Sequence, residues 1–400
     1  MNKDKKITIS EVDSIIYKGI NHVIIKLSNG LMGIGSSSCW AYPGATHAVI
    51  NKFKGYLLGQ NPFEIEHHWQ YLYRMGPFRG SILSGAISAI DIALWDLKGK
   101  HYDLPVWKLL GGPTRKKIRL HLLLGINPFK NSLSDLPDHI SQKAKEAKEN
   151  GFTALKIDPL PQGYESMTLS RLIDLTKKNV RGLREGAGLD VDIILELHRK
   201  LTPMVSIALA KELYEFHPLF IEDPVQIDSI VSQGEIAGRT ENPLANGERM
   251  HNIWEFRELF QSGGSQYARP DLGLAGGITQ VKKIASIAES YHSALVTHNF
   301  VTPVTTAAAC NIDASIPNFL TQEYTLADES EENKIFGSNW KRVGGFLELP
   351  ETPGIGLSVD FEKLLKVSSD SLDKGKNLFD GENDLGNIPI RNDGSVGYSV

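Results

Sequence analysis

Four hundred residues exceed what one ordinary hydrophobic core absorbs, so the length predicts a large domain with a smaller companion. Apolar residues at 41% and charged residues at 22% are an ordinary globular balance. A net charge of −4 without a long basic run argues against binding to nucleic acid or to an anionic membrane. Met1 to Lys6 is polar, and no apolar run approaches the roughly 20 residues that cross a bilayer. Only two cysteines occur, Cys39 and Cys310, without CxxC spacing, which predicts neither a disulfide framework nor a thiolate metal site and fits a reducing, cytoplasmic setting.

In chain order, residues 7–17, 22–28 and 31–36 cluster β-formers, with Asn29-Gly30 as the hairpin signal between the last two. Helical stretches follow at 44–58, 62–74 and 81–99, the last with Ala86, Ile87, Ala89, Ile90, Ala93, Leu94 and Leu97 on one face. Strands followed by grouped helices read as an α+β module over residues 1–125. From about residue 138 the pattern becomes helix then strand. His139 to Asn150 precedes Gly151 and the apolar run Phe152 to Ile157. Thr202-Pro203 opens a helix to about Phe216, before a strand at Leu219 to Ile221. A helix at 279–291 precedes a strand at Ala294 to Val296. This alternation predicts a parallel sheet, closed into a barrel over residues 126–330. The remainder, 331–400, is polar, then rich in Pro and Gly, then charged; it is expected to wrap back over the N-terminal module.

One polar residue recurs at the strand ends. Glu196 closes Ile193-Ile194-Leu195-Glu196, Glu222 closes Leu219-Phe220-Ile221-Glu222, and Glu248 follows Leu244-Ala245-Asn246-Gly247, each 26 residues after the last. Asp271, His298 and Glu323 continue the series at steps of 23, 27 and 25. One βα unit of a barrel needs about this length, and equal depth on neighbouring strands gathers the side chains at the C-terminal mouth, where barrel active sites lie. Three carboxylates gathered there repel one another. A divalent cation relieves that repulsion, and hard oxygen ligands suit Mg²⁺. Singly, each residue reads more readily as a satisfied loop-end carboxylate; the regular trio carries the argument.

Leu195-Glu196-Leu197-His198, Ile221-Glu222-Asp223-Pro224, Gly247-Glu248-Arg249-Met250, Arg269-Pro270-Asp271-Leu272 and Gly276-Gly277-Ile278-Thr279, in that order, resemble the mandelate-racemase branch of the enolase superfamily. So do Ala93-Leu94-Trp95-Asp96-Leu97-Lys98-Gly99-Lys100 and Leu109-Leu110-Gly111-Gly112. Within that branch the chain is most similar to the acid-sugar dehydratases, D-galactonate dehydratase among them, over about residues 7–360.

The resemblance implies an α/β fold, a modified TIM (β/α) barrel under an N-terminal α+β capping domain, with one Mg²⁺ held by Glu196, Glu222 and Glu248. It implies that the ion chelates a substrate carboxylate and stabilises the enediolate left by proton loss. By the same likeness His298 is the general base with Asp271 as its partner, and Glu323 hydrogen-bonds the substrate carboxylate opposite the ion. His198 is the general acid that protonates the departing β-hydroxyl; lying two residues beyond Glu196, it is expected on the same side of an extended segment. Racemases of this branch place a lysine where Asp158 stands in Leu155-Lys156-Ile157-Asp158, which favours elimination over racemisation. Lys156 is left to neutralise the substrate carboxylate or to brace Asp158, itself a substrate-binding candidate.

Two residues depart from the dehydratase pattern, Glu196 in place of Asp and Arg199 in place of Gly; a milder third is Asn246, where a small apolar residue is usual. Arg199 either selects another sugar acid or a diacid, or points outward to a surface acid. Substrate choice is expected from the cap, through Cys39-Trp40-Ala41-Tyr42-Pro43 and Arg74 to Arg79, with Trp40 as a binding candidate. The expected activity is dehydration of a small-molecule sugar acid by a homo-oligomer. The alternatives are a cycloisomerase or epimerase of a sugar-acid lactone, or an inactive sugar-acid-binding relative.

Overall fold

The structure, a computed structural model, describes residues 7–126, 132–299, 301–372 and 390–397. β1 (Ile9–Tyr17), β2 (Ile20–Leu27) and β3 (Met32–Ser36) form an antiparallel sheet, the last two joined at Asn29-Gly30 with Gly30 at φ +87°. α1 (Pro43–Leu57), α2 (Ile65–Arg74) and α3 (Ser81–Tyr102) follow, each end within three residues of the sequence expectation. α3 is buried nearly all round, as its excess of Ala, Ile and Leu requires. It lies directly on β3: a Cβ at Gly35 would collide with the carbonyl of Ala89.

A short helix α4 (Val106–Leu109) leads into the barrel. Its strands are β4 (Lys117–Leu123), β5 (Ala154–Ile157), β6 (Asp192–Glu196), β7 (Phe220–Glu222), β8 (Leu244–Asn246), β9 (Tyr267–Ala268), β10 (Ala294–Leu295) and β11 (Gln322–Tyr324). Between them run α5 (Leu136–Glu149), α6 (Leu169–Ala187), α7 (Pro203–Leu213), α8 (Ile230–Ala237), α9 (Ile253–Gln261), α10 (Gly277–Ser290) and α11 (Pro303–Ser315). Every neighbouring pair from β4 to β10 is parallel, β11 pairs in parallel with β4, and a bridge from Leu295 to Phe319 closes the ring. The fold is the expected α/β one, a modified barrel with an α+β cap. β4 lies within the stretch expected to be cap, so the barrel begins earlier in the chain than position 126.

After β11 come two 3₁₀ turns, then a hairpin of β12 (Arg342–Val343) and β13 (Phe346–Glu348) that pairs antiparallel with β4. α12 (Phe361–Leu372) returns to the cap and packs against β1. Residues 390–397 do not follow it: Asn392 N donates to Ser166 Oγ at 3.1 Å, placing this segment on the loop after β5. The rest of the expected wrapping tail, 373–389 and 398–400, lies outside the described residues. Among the described residues no helix is long and apolar enough to cross a membrane.

Cap and barrel are joined at the start of α10. Asp91 Oδ1 accepts from Thr279 N at 3.0 Å, Ser88 Oγ accepts from Gly276 N at 2.9 Å, and Trp95 Nε1 donates to Thr279 Oγ1 at 2.9 Å. α3 thereby satisfies backbone N–H groups that the first turn of α10 leaves free. Inside the barrel, strand alternation sorts the side chains into layers. Two residues before Glu196, Glu222 and His298 stand Ile194, Phe220 and Val296, which with Ala245 form an apolar cluster beneath the charged one.

Candidate metal and acid–base site

Glu196 and Glu222 end β6 and β7 and are register partners, so their side chains leave adjacent strands at one depth. Glu248 arrives through a turn at Gly247, where φ is +126° and a Cβ would strike the Phe256 ring. All three are buried, and each offers an oxygen within 4.8 Å of the others.

Buried cations hold them. Lys156 Nζ lies 3.0 Å from Glu196 Oε2, 2.9 Å from Glu222 Oε2 and 3.0 Å from Glu323 Oε1. Arg269 Nε donates to Glu222 Oε1 at 2.7 Å, and its Nη2 also holds Glu323. Arg199 Nη1 donates to Asp223 Oδ2 at 2.7 Å and Glu248 Oε1 at 2.5 Å.

Buried here are six carboxylates, Glu196, Glu222, Asp223, Glu248, Asp271 and Glu323, against three permanent cations, Lys156, Arg199 and Arg269. The imbalance acts unequally on the carboxyls. Burial, reinforced by Glu196 and Glu323, pushes the Glu222 carboxyl well above its usual range despite Arg269 and Lys156. Burial works against Glu196 too, but Lys156 prevails and takes it down to about 2. The excess negative charge and the convergent oxygens fit a hard divalent cation, since an ionised carboxylate has lone pairs beyond those given to Lys156, Arg269 and Arg199.

Two imidazoles flank the trio. His298 Nδ1 lies 2.7 Å from Asp271 Oδ2, and its Nε2 is 3.1 Å from Glu248 Oε2 and 4.0 Å from Glu323 Oε2. His198 Nδ1 lies 2.7 Å from Asp158 Oδ2, which also takes Lys200 Nζ at 2.5 Å. Burial raises the Asp158 carboxyl, but Lys200 and His198 outweigh it and hold it below the ordinary carboxylate range.

The structure thus gathers Glu196, Glu222, Glu248, Lys156, Glu323, His298, Asp271, His198 and Asp158 at one end of the barrel, and it moves several from their expected contacts. Arg199 neither points outward nor faces open space; buried between Asp223 and Glu248, its Nη1 is committed to the protein, because positive φ at His198 (+49°) and Arg199 (+61°) folds the chain back. The same turn corrects the expected extended segment: β6 stops at Glu196, and His198 sits in the left-handed region. Lys156 does not brace Asp158; it holds three glutamates, and Lys200 holds Asp158 instead. Asp158 itself has Oδ2 between His198 and Lys200, and its Oδ1 accepts from Leu160 N at 3.0 Å.

From the cap, Ser38 N donates to Gly273 O at 2.9 Å, and Trp40 lies 5.7 Å beneath the Arg249 guanidinium, beside the Glu248 turn. The Arg74–Arg79 segment comes near the same turn: Arg79 lies over Tyr73, which stacks on Trp254 at 5.5 Å. Sequence reasoning passed over Arg269, Asp223 and Lys200. Arg269 and Lys200 each stand two positions from a residue it did select, Asp271 and His198, and that spacing was the available signal.

Residues 139–364 match the family described as enolase C-terminal domain-like, and residues 16–111 match the mandelate racemase / muconate lactonizing enzyme N-terminal domain. Similar solved structures include a candidate dehydratase of Salmonella enterica subsp. enterica serovar Typhimurium, at 28% identity and TM-score 0.84 over 90% of this chain and 98% of that one. A candidate dehydratase of Zymomonas mobilis ZM4 has 28% identity and TM-score 0.84 over 91% and 98%. A candidate galactarate dehydratase of Agrobacterium radiobacter, bound to sodium and L-malate, has 27% identity and TM-score 0.86 over 98% and 100%. With both of its domains matched, the chain belongs to the mandelate racemase / muconate lactonizing enzyme family of the enolase superfamily.

Proposed function

We propose that the protein is a Mg²⁺-dependent dehydratase of a sugar acid, giving a 2-keto-3-deoxy acid. The observation that carries this reading is the pair of imidazoles, His298 and His198, on either side of the Glu196–Glu222–Glu248 cluster. Elimination of water needs one group to take a proton from carbon and another to give one to oxygen. Glu196, Glu222 and Glu248 would hold one Mg²⁺, which when bound neutralises the substrate carboxylate as charge builds on it.

His298, its Nδ1 tied to Asp271, takes the α-proton at Nε2. His198 gives its Nε2 proton to the β-hydroxyl, which leaves as water; the resulting enol rearranges to the keto acid. Lys156 and Arg269 hold Glu196, Glu222 and Glu323 in place beforehand, so little rearrangement accompanies the proton transfer. One relative's name, a candidate galactarate dehydratase, adds aldaric acids to the aldonic acids to try.

The test is incubation with Mg²⁺ and a panel of both, following keto-acid formation. Turnover is expected with at least one acid, and His298→Asn should lower it roughly 10²–10⁴-fold. His198→Asn should abolish product while leaving exchange of the α-hydrogen with deuterated solvent. Exchange without any keto acid from the unaltered protein would favour an epimerase instead.

A further inference from the structure

In an eight-stranded ring, strands four apart stand across the axis from one another. β5 and β6, which lead to Asp158 and His198, are the second and third barrel strands; β9 and β10, which lead to Asp271 and His298, are the sixth and seventh. The two imidazole–carboxylate pairs therefore face each other across the mouth, and each has Nδ1 at 2.7 Å from a carboxylate oxygen. The match is not inherited from a repeated motif: Asp271 and His298 are themselves paired by an isolated parallel bridge just past β9 and β10, whereas His198 reaches Asp158 after the chain turns left-handed beyond Leu197.

Lys200 completes the second pair. Residue 200 bridges Val225 on the next strand's exit loop, which fixes its backbone, and Nζ reaches the same Asp158 oxygen that His198 uses. Asp158 Oδ1 is separately pinned by Leu160 N, so the carboxylate has no freedom to turn toward the mouth. A carboxylate so placed accepts only, which obliges His198 Nδ1 to be the donor and leaves Nε2 directed elsewhere.

The geometry points to Asp158, clamped by Lys200, as a positioning residue for His198: it holds the aim of the imidazolium whose Nε2 proton goes to the leaving hydroxyl, and it leaves the neutral ring protonated on Nδ1 once that proton has gone. The claim rests on the dehydratase reading for its chemistry, but its structural half stands without it.

The test uses Asp158→Asn and Lys200→Met in the full chain. With a substrate that the unaltered protein dehydrates, Asp158→Asn is expected to lower keto-acid formation about 100-fold. Exchange of the α-hydrogen with deuterated solvent, which needs only the His298 side, should stay within about threefold. Asp158→Glu should recover part of the loss, and Lys200→Met should fall between. Equal loss of exchange and elimination would mean a merely structural role and overturn the proposal, as would unchanged elimination.

A second arm needs no turnover. In protein labelled with nitrogen-15 at histidine, with the His198 signals assigned from their loss in His198→Asn, the neutral ring should carry its proton on Nδ1 and become a mixture in Asp158→Asn. A neutral His198 protonated at Nε2 in the unaltered protein would overturn the proposal. The expected tautomer in a protein that dehydrates nothing would leave the positioning intact and remove the dehydratase reading.

Discussion

Arg269 illustrates how much of the site is held by single side chains. It is fully buried, donates to Glu222 and Glu323, and places Nη1 on the carbonyls of Val296 and Thr297 at 3.2 and 3.3 Å. A planar fork with five donors suits that set of acceptors, and a lysine ammonium does not. Replacement by methionine keeps most of the stem and leaves Glu222 and Glu323 with only Lys156 of the two buried cations that hold them both. Removing one partner of a buried ion pair typically costs about 3–5 kcal/mol. Arg269→Met should therefore lower the urea midpoint by that equivalent in metal-free protein; a loss under about 1 kcal/mol would show that the carboxylates simply take up protons. Glu222, already pushed toward the protonated form by burial and its acidic neighbours, is where such relief would begin.

At the scale of elements, close contact between β3 and α3 sets the cap. A methyl at Gly35 meets backbone, the Ala89 carbonyl, which has nowhere to go, while a methyl at Gly55 in α1 meets nothing within 4 Å. Gly35→Ala is expected to destabilise by about 1–3 kcal/mol. Gly55→Ala should stabilise by about 0.5–1 kcal/mol, because a helical alanine loses less entropy than glycine. Thermal melts of the two variants, moving in opposite directions, check both.

Elements of this kind were readable from the chain wherever periodicity had room to show itself, as in α3 or α5. β9 and β10 span two residues each, too short for alternation; β10 showed as the apolar run after a helix, whereas the end of β9 was found because Asp271 nearly kept the interval of the glutamates. The residues that converge were legible for the same reason. Their pairings were not. Whether Lys156 meets Asp158 or three glutamates depends on rotamers, and whether Arg199 faces solvent depends on two left-handed residues that no pattern of β-formers announces. The hairpin of β12 and β13 on β4 was likewise hidden, its two strands being too short to stand out from a polar stretch.

Across the whole molecule, the cap meets the barrel at a carboxyl that resists ionisation. Burial pushes Asp91 up to about 7, with Oδ1 bonded to Thr279 N. Because the folded value lies above the ordinary 3.8, the contribution is fully present below pH 3.8 and is lost as pH rises through about 7. His22 runs the other way. Burial takes it down to about 3, so its contribution is complete above pH 6.5 and is lost as pH falls through 3. Between pH 4 and 6.5 the two slopes oppose and flatten the profile. Asp91→Asn removes one of them. Relative to that variant, the unaltered protein should lose on the order of 4 kcal/mol between pH 4 and 8, at roughly 1.4 kcal/mol per unit. Parallel denaturant titrations at four pH values measure the gap, and a constant difference would place the Asp91 carboxyl in its ordinary range.

The layering inside the barrel has a consequence for traffic. Ile194, Phe220, Ala245 and Val296 stopper the tube with hydrocarbon below the charged residues. Among the described residues, the side open to the charged cluster is then that of the strand ends, where Ser38 and Trp40 of the cap come down.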